Sequence, residues 1–482
     1  MSLQPDIDFT TTPVSQLYEI LLPITVPSSS PKARFTNWAK TFVCTPLAVF
    51  EPRNEYQCQV ILELARREGK VIRVAGVGHS PSDLAFTNEF MLRTTYLNRV
   101  LSVDKEKRRV IAEGGITLHD LHIALAKNDL AMINLGSISD QTLAGIITTA
   151  SHGTGIEYGV MSTAVISLTL LLADGSRVQC SRTEQPDLFL ATTCGLGSTG
   201  LILTIELEVE PSFHLKEVLE SRSFAHTVTN LDQIVRSAEH TRMFWFPATD
   251  NMCISTLNRT HESKRSGSSW FYDSLMGYHI VQLLLFLGIY VRMFNTWAAL
   301  LASWLVSRGM SRIDDSYRVF NVDCRYFQHT TEWAIPYENT EPCLRELREY
   351  FHDILDDPRE RPHFPIEIRF SAPDDIWLSP SYGQKTCWIG IVQYKPYNFN
   401  VPYRRLFDGF ERILSHYQGR PHWAKAHKLD AKDFHILYPR FNDFLRVMQE
   451  VDPRGLFRNE YMQRHFFCQP VDGRVFKQRR LM

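Results

Sequence analysis

The residues best suited to chemistry fall into four short stretches. Residues 74–83, VAGVGHSPSD, directly follow a β-rich run. Gly76 and Gly78 free the backbone for tight turns and leave its amides bare enough to approach a phosphate, and His79 adds an imidazole. No Gly-Lys-Ser/Thr follows, so this is not a Walker loop. Pro81 and Ser82 stand where a dinucleotide fingerprint would carry its third glycine and its surroundings. What is left is an amide nest with an imidazole in it, or a purely structural turn. Residues 134–155, NLGSISDQTLAGIITTASHGTG, combine small-residue turns with hydroxyls at Ser137, Ser139, Thr142, Thr148, Thr149 and Ser151, and end in His152-Gly-Thr-Gly. Two such stretches in one unit point to a dinucleotide-sized anion, with an ordinary Gly/Ser/Thr loop as the alternative.

The other two stretches are ionisable. Glu367 and Arg369 lie two apart in PIEIRF, so on a strand they share a face, as site residues or as a structural ion pair. RPHWAK at 420–425 sets Lys425 near a histidine and an aromatic, with a solvated turn as the bland reading. His119 and His122 have helical i, i+3 spacing, but no third ligand of matching spacing appears. They are read as a surface pair, and no metal site is expected.

Positioning these residues requires a mixed scaffold. Helical spacing is expected at 55–68 and 118–128, strands at 70–75, 165–172 and 201–209, and a hairpin over 100–113. Residues 36–210 thus form one α+β unit behind a Pro/Ser/Thr-rich arm, 1–35, with order beginning near Phe35. After Pro211 the texture turns aromatic and charged, with strands at 365–370 and 387–394 and helices near 401–417 and 432–450. A second unit, 211–430, is expected, with 431–482 returning to the first. Of 24 glycines, 14 fall between Gly69 and Gly200, while eight of nine tryptophans lie at or beyond Trp245.

Composition narrows the functional classes. With 52 basic and 53 acidic side chains the chain has a formal charge of −1 and is 44% hydrophobic, which argues against a nucleic-acid binder and against disorder. The nine cysteines lack any C-x-x-C pair and read as reduced thiols. The absence of a basic residue before Lys32 argues against a cleaved leader. Residues 274–307 are nearly free of charge, Arg292 excepted. They suggest an interfacial helical pair with Trp297 and Trp304 at headgroup level, or a buried hairpin.

Taken in order, several stretches resemble the aldonolactone oxidase family of FAD enzymes (the L-gulonolactone and D-arabinono-1,4-lactone oxidases), within the VAO/PCMH-type flavoprotein fold. They are FTNWA (35–39), VGHSPSD (77–83), NLGSIS (134–139), AGIITTASHGTG (144–155), FWFP (244–247), WAIP (333–336), EIR (367–369) and PHWAKAH (421–427). The resemblance implies a two-domain α+β protein with a substrate cap over the flavin. It implies that Gly76, Val77, Gly78, His79 and Ser80 cradle the FAD pyrophosphate, with His79 joined covalently to the flavin. Ser137, Thr142, Gly145, Thr149, Ser151 and His152 would line the cofactor channel, and Ile202 would contact the adenine side. Glu367, Arg369 and Lys425 match substrate-side positions. Gly136, small beside the flavin, would leave oxygen a path, implying an oxidase that converts an aldono-1,4-lactone to an ascorbate-type product and hydrogen peroxide. Val392 departs from the threonine of more distant polyol oxidases. A membrane-surface location, mitochondrial outer or endoplasmic reticulum, is also implied. A dehydrogenase passing electrons to cytochrome c or a quinone, and a non-catalytic membrane-associated binding protein, remain as alternatives.

Overall fold

The computed structural model describes residues 11–477, apart from 268, 323–324, 355–356 and 473–474. Near the N-terminus, three parallel strands pair in the order Ala48–Phe50, Phe90–Arg93, Ile72–Ala75. The helix Glu55–Glu68 connects the first and last of these. Its N-cap Asn54 accepts from the Gln57 amide, and Gly69 closes it at φ 61°, a left-handed cap that glycine adopts without strain. Beside this lies a five-stranded antiparallel sheet, ordered Arg177–Ser181, Val165–Leu171, Leu201–Glu208, Arg109–Glu113, Val100–Asp104.

The rest of the site rides on an eight-stranded antiparallel sheet. Its order is Met310–Asp315, His214–Ser223, Asn251–Thr260, His240–Phe246, Ile366–Ser371, Thr386–Tyr394, Gln328–Pro336, Arg420–Pro421. Along Ile366–Ser371 the strand period divides the chemistry. Ile366, Ile368 and Phe370 enter a core with Trp245, Leu344 and Phe410, leaving Glu367, Arg369 and Ser371 on the other face.

Phe434, Phe441, Phe444 and Phe466 share a core with Leu121, Leu168 and Phe189. Asn459 donates to the carbonyls of Leu84 and Phe86, each at 2.9 Å, and Arg464 pairs with Asp83 at 2.9 Å.

Three local expectations change, and a fourth, the helical pair of the apolar segment, stands. The chain is ordered well before Phe35: helix Val14–Leu21 buries Leu17 and Leu21 against Val60 and Leu64, an amphipathic turn hidden within a Pro/Ser-rich composition. The first ten residues of that arm lie outside the described residues. The stretch 432–450 is two helices, Ala431–Leu437 and Phe441–Val451, because Pro439 cannot continue the first. His122 is buried, not on the surface, and stacks on Tyr317 at 5.3 Å. The apolar segment forms helices Val281–Gly288 and Met293–Ser307, which bury Val281, Leu285 and Ala298 between them. No helix among the described residues is long and apolar enough to cross a membrane.

Candidate active site

The glycine-rich loop is shaped by what surrounds it. A side chain at Gly76 would place its Cβ 2.3 Å from Thr142 Oγ1, and one at Gly78, where φ is 75°, would strike Phe35 at 2.8 Å. Only glycine fits either position. The FTNWA stretch holds the loop from outside: Trp38 N donates to Gly78 O at 2.8 Å and Asn37 Nδ2 to Ser80 O at 3.1 Å. Trp38 also stacks on His79, centroids 5.0 Å apart. Burial, aided by the charge of Lys425, pushes the His79 imidazole down to about 4, so at neutral pH its ring is uncharged.

An open cleft follows this loop, lined by Gly76, Val77, Gly78, His79, Ser80, Thr142, Gly145, Thr149 and Ile202 among others. These come from the strand-to-loop turn, helix Leu143–Thr148 and strand Leu201–Glu208. A Cβ on Gly145 would crowd Thr142 Oγ1 at 2.9 Å, so the second small-residue stretch also depends on bare backbone. The cleft fits an extended anionic dinucleotide: amides and short hydroxyls with little side-chain bulk. Ser151 sits just behind, its hydroxyl 3.4 Å from that of Thr149.

Three neighbouring strands build the opposite wall. Glu367 and Glu332 both lie across from Gly390 in the register, so the missing side chain of Gly390 leaves room between two carboxylates. In the next row Arg369 lies across from Trp388, and His152 stacks on Trp388 with centroids 3.7 Å apart. Arg369 donates to Glu332 Oε1 at 2.7 Å and to the His152 carbonyl at 3.2 Å, while Glu367 stands 3.6 Å from it. His152 Nε2 meets the same Glu332 oxygen at 3.1 Å, and Lys425 Nζ approaches the other at 3.7 Å. Despite burial, Arg369, His152 and Lys425 hold the Glu332 carboxyl well below its ordinary range.

Sequence reasoning missed Glu332 and His422. Glu332 was legible as the lone charge in an otherwise apolar strand end, TEWAIP. His422 belongs to the stretch for which a solvated turn was the bland alternative; His422 and Trp423 are buried. Its Nδ1 accepts from the Ala424 amide at 3.1 Å, and burial lowers the imidazole to about 3. The turn is closed by Lys425 N donating to His422 O at 2.8 Å, which aims Lys425 back toward Glu332. His152, Glu332 and His422 have metal-like spacing, but Arg369 and Lys425 already supply cations to their one carboxylate.

The 134–155 stretch joins the two walls. Ser137, expected on the cofactor channel, lies at the ionic wall, its hydroxyl 3.5 Å from Glu367 Oε1. His152 is there too, and a Cβ on Gly136 would meet only the His152 carbonyl, at 3.2 Å.

Comparison with known proteins fits this division. Residues 46–181 match the model of an FAD binding domain, and residues 205–465 that of D-arabinono-1,4-lactone oxidase. The L-gulonolactone oxidase of Scyliorhinus torazame is 38% identical over 435 residues, covering 90% of this chain and 98% of that protein. The L-gulono-1,4-lactone dehydrogenase of Mycobacterium tuberculosis is 33% identical, covering 89% and 98%. Among solved structures, a solvent-stable cholesterol oxidase superposes with a TM-score of 0.76 at 19% identity, over 88% of this chain and 96% of the other, a likeness of fold alone. Matched by these relatives along nearly its whole length, the chain belongs to the D-arabinono-1,4-lactone oxidase family and carries an FAD-binding domain.

Proposed function

We propose that the protein oxidises an aldono-1,4-lactone, of the D-arabinono, L-gulono or L-galactono type, and passes the electrons to molecular oxygen. The observation that carries this reading is the cluster of Glu332 and Arg369 on the sheet with Lys425 from the turn after Arg420–Pro421, next to the glycine-lined cleft, with 134–155 shared between them. FAD bound in the cleft supplies the hydride acceptor. The protein's own residues then handle charge: the lactone's secondary alcohol loses a hydride from carbon and a proton from oxygen. Arg369 and Lys425 stabilise negative charge building on that oxygen. Glu367, half-exposed on the same face, accepts from a lactone hydroxyl. Glu332 does not touch substrate in this scheme; it orients Arg369, His152 and Lys425. Oxygen takes up the two electrons and two protons to give hydrogen peroxide, and the oxidised lactone is an ascorbate-type product.

Three finer assignments belong to the same proposal. His79 is the covalent anchor, a role suited to a neutral, stacked imidazole. Gly136 marks the oxygen path, which favours an oxidase over a dehydrogenase. The hairpin 281–307 meets a membrane surface, mitochondrial outer or endoplasmic reticulum, through Met293, Trp297, Leu300 and Trp304, all exposed along one helix. Chain residues 1–35, 36–210, 211–430 and 431–482 are the corresponding segments, with the first reassigned from free arm to packed helix over its described part. Anaerobic mixing with each lactone tests the core of the reading: bleaching of the flavin absorbance is expected with at least one, and no bleaching with any of the three contradicts it. Flotation with anionic vesicles tests the surface, and Trp297→Ser/Trp304→Ser is expected to abolish it.

A further inference from the structure

Strand Ile72–Ala75 carries one side chain not used above. Arg73 is 4% exposed, and its Nη2 donates to the Leu196 carbonyl at 2.7 Å. Among the described residues, its Nε and Nη1 are buried without a hydrogen-bond partner. Glu460 acts on it only from beyond bonding distance and gives Oε1 to the Asn88 amide. A buried cation in this state is strongly disfavoured unless an anion completes it.

The surroundings indicate which anion. Arg73 lines the same cleft as Gly76, Gly78 and Gly197. Leu196 is held in the left-handed region at φ 55°, followed by Gly197 at φ 70°; such a conformation in a leucine persists only where its surroundings enforce it. The Arg73 bond to its carbonyl is one such restraint. A Cβ on Gly197 would sit 3.5 Å from Nη1, against the guanidinium, and glycine leaves that face bare. Arg73 thus bridges the parallel sheet and the loop before strand Leu201–Glu208, spends one nitrogen on the loop, and holds two unpartnered nitrogens beside the cleft it lines.

We propose that Arg73 is the counter-charge for the diphosphate of the dinucleotide cofactor, the one arginine or lysine among the described residues that line the cleft. This rests on the FAD reading above and assigns the recognition of its charged centre. Two charge-assisted hydrogen bonds to a phosphate predict a loss of at least roughly 150-fold in affinity when they are removed.

The test uses flavin-free protein in a His79→Ala background, so that the cofactor exchanges, titrated calorimetrically with FAD, ADP and riboflavin. Arg73→Met is expected to weaken FAD and ADP by that factor and to leave riboflavin unchanged. Arg73→Lys, which keeps the charge but not the fork, is expected to lose about 5- to 10-fold for ADP, and it decides the matter if the methionine variant does not fold. Equal losses for riboflavin and FAD, or undiminished ADP binding in both variants, overturn the proposal and leave Arg73 a loop tether. Background protein that binds neither FAD nor ADP contradicts the FAD reading itself, a result distinct from any effect of Arg73.

Discussion

Replacing Glu332 by glutamine isolates the role of the buried carboxylate. The amide keeps the shape and can still accept from Arg369, but it removes the one negative charge shared by Arg369 at 2.7 Å, His152 at 3.1 Å and Lys425 at 3.7 Å. Breaking a buried pair by removing one partner costs about 3–5 kcal/mol; because glutamine preserves the geometry, the lower end, about 3 kcal/mol, is expected. Its pH dependence is specific. Glu332 is held well below the ordinary carboxyl value in the folded state, so its contribution is complete above the unfolded pKa of about 4.3 and is lost as pH falls toward the folded value. Thermal melts should therefore show a wild-type advantage at pH 7 that shrinks progressively below about pH 5. Misplaced Arg369 and Lys425 should also lower kcat/KM by roughly 100-fold, about 2.7 kcal/mol of transition-state stabilisation. Glu367→Gln, at a half-exposed position, should lower kcat/KM with little change in melting. A Glu332→Gln protein with wild-type melting at pH 7 and wild-type kcat/KM refutes the reasoning.

Gly136→Ala should fold with a shift of a few tenths of an ångström at the His152 carbonyl, which its added methyl meets at 3.2 Å; its oxygen rate should fall at least roughly 10-fold while reduction of an artificial dye acceptor persists, and equal retention of both rates removes Gly136 from the oxygen path. His79→Ala should release all its flavin on acid precipitation where wild type retains it, and complete release from both denies the covalent anchor. Glu411 is raised to about 7 by burial, with Thr331 donating to it at 3.0 Å. Its folded pKa lies above the unfolded one, so stability is present at low pH and declines as pH rises through about 7. Glu411→Gln should therefore match wild type near pH 4 and melt higher at pH 8, by an amount corresponding to about 1–2 kcal/mol; identical melting at pH 8 disproves the assignment.

Much of this site was legible because its chemistry lies in local patterns. A glycine whose Cβ would strike Thr142 or Phe35 announces itself in VAGVGHS, and two ionisable residues in PIEIRF share a face by strand period alone. What was not legible depends on pairing across strands. Nothing near Glu332 in the sequence says that Gly390 separates it from Glu367, or that Arg369 turns toward it in preference to its own strand neighbour. His422 was missed because RPHWAK is polar by composition, whereas its burial comes from tertiary packing, with Trp423 stacked on Tyr438 at 5.3 Å. Helix Val14–Leu21 was hidden for a similar reason: two leucines four apart are a weak periodic signal, and their burial against Val60 and Leu64 decides the outcome.

The central claim is tested most directly by mixing the purified protein with each aldono-1,4-lactone in air and following oxygen and peroxide together. The account predicts that one lactone is consumed, one oxygen taken up and one hydrogen peroxide formed per turnover, and that Arg369→Met suppresses all three. Lactone oxidation with a dye acceptor but no oxygen uptake contradicts the oxidase assignment, and no oxidation of any lactone with either acceptor contradicts the proposed function as a whole.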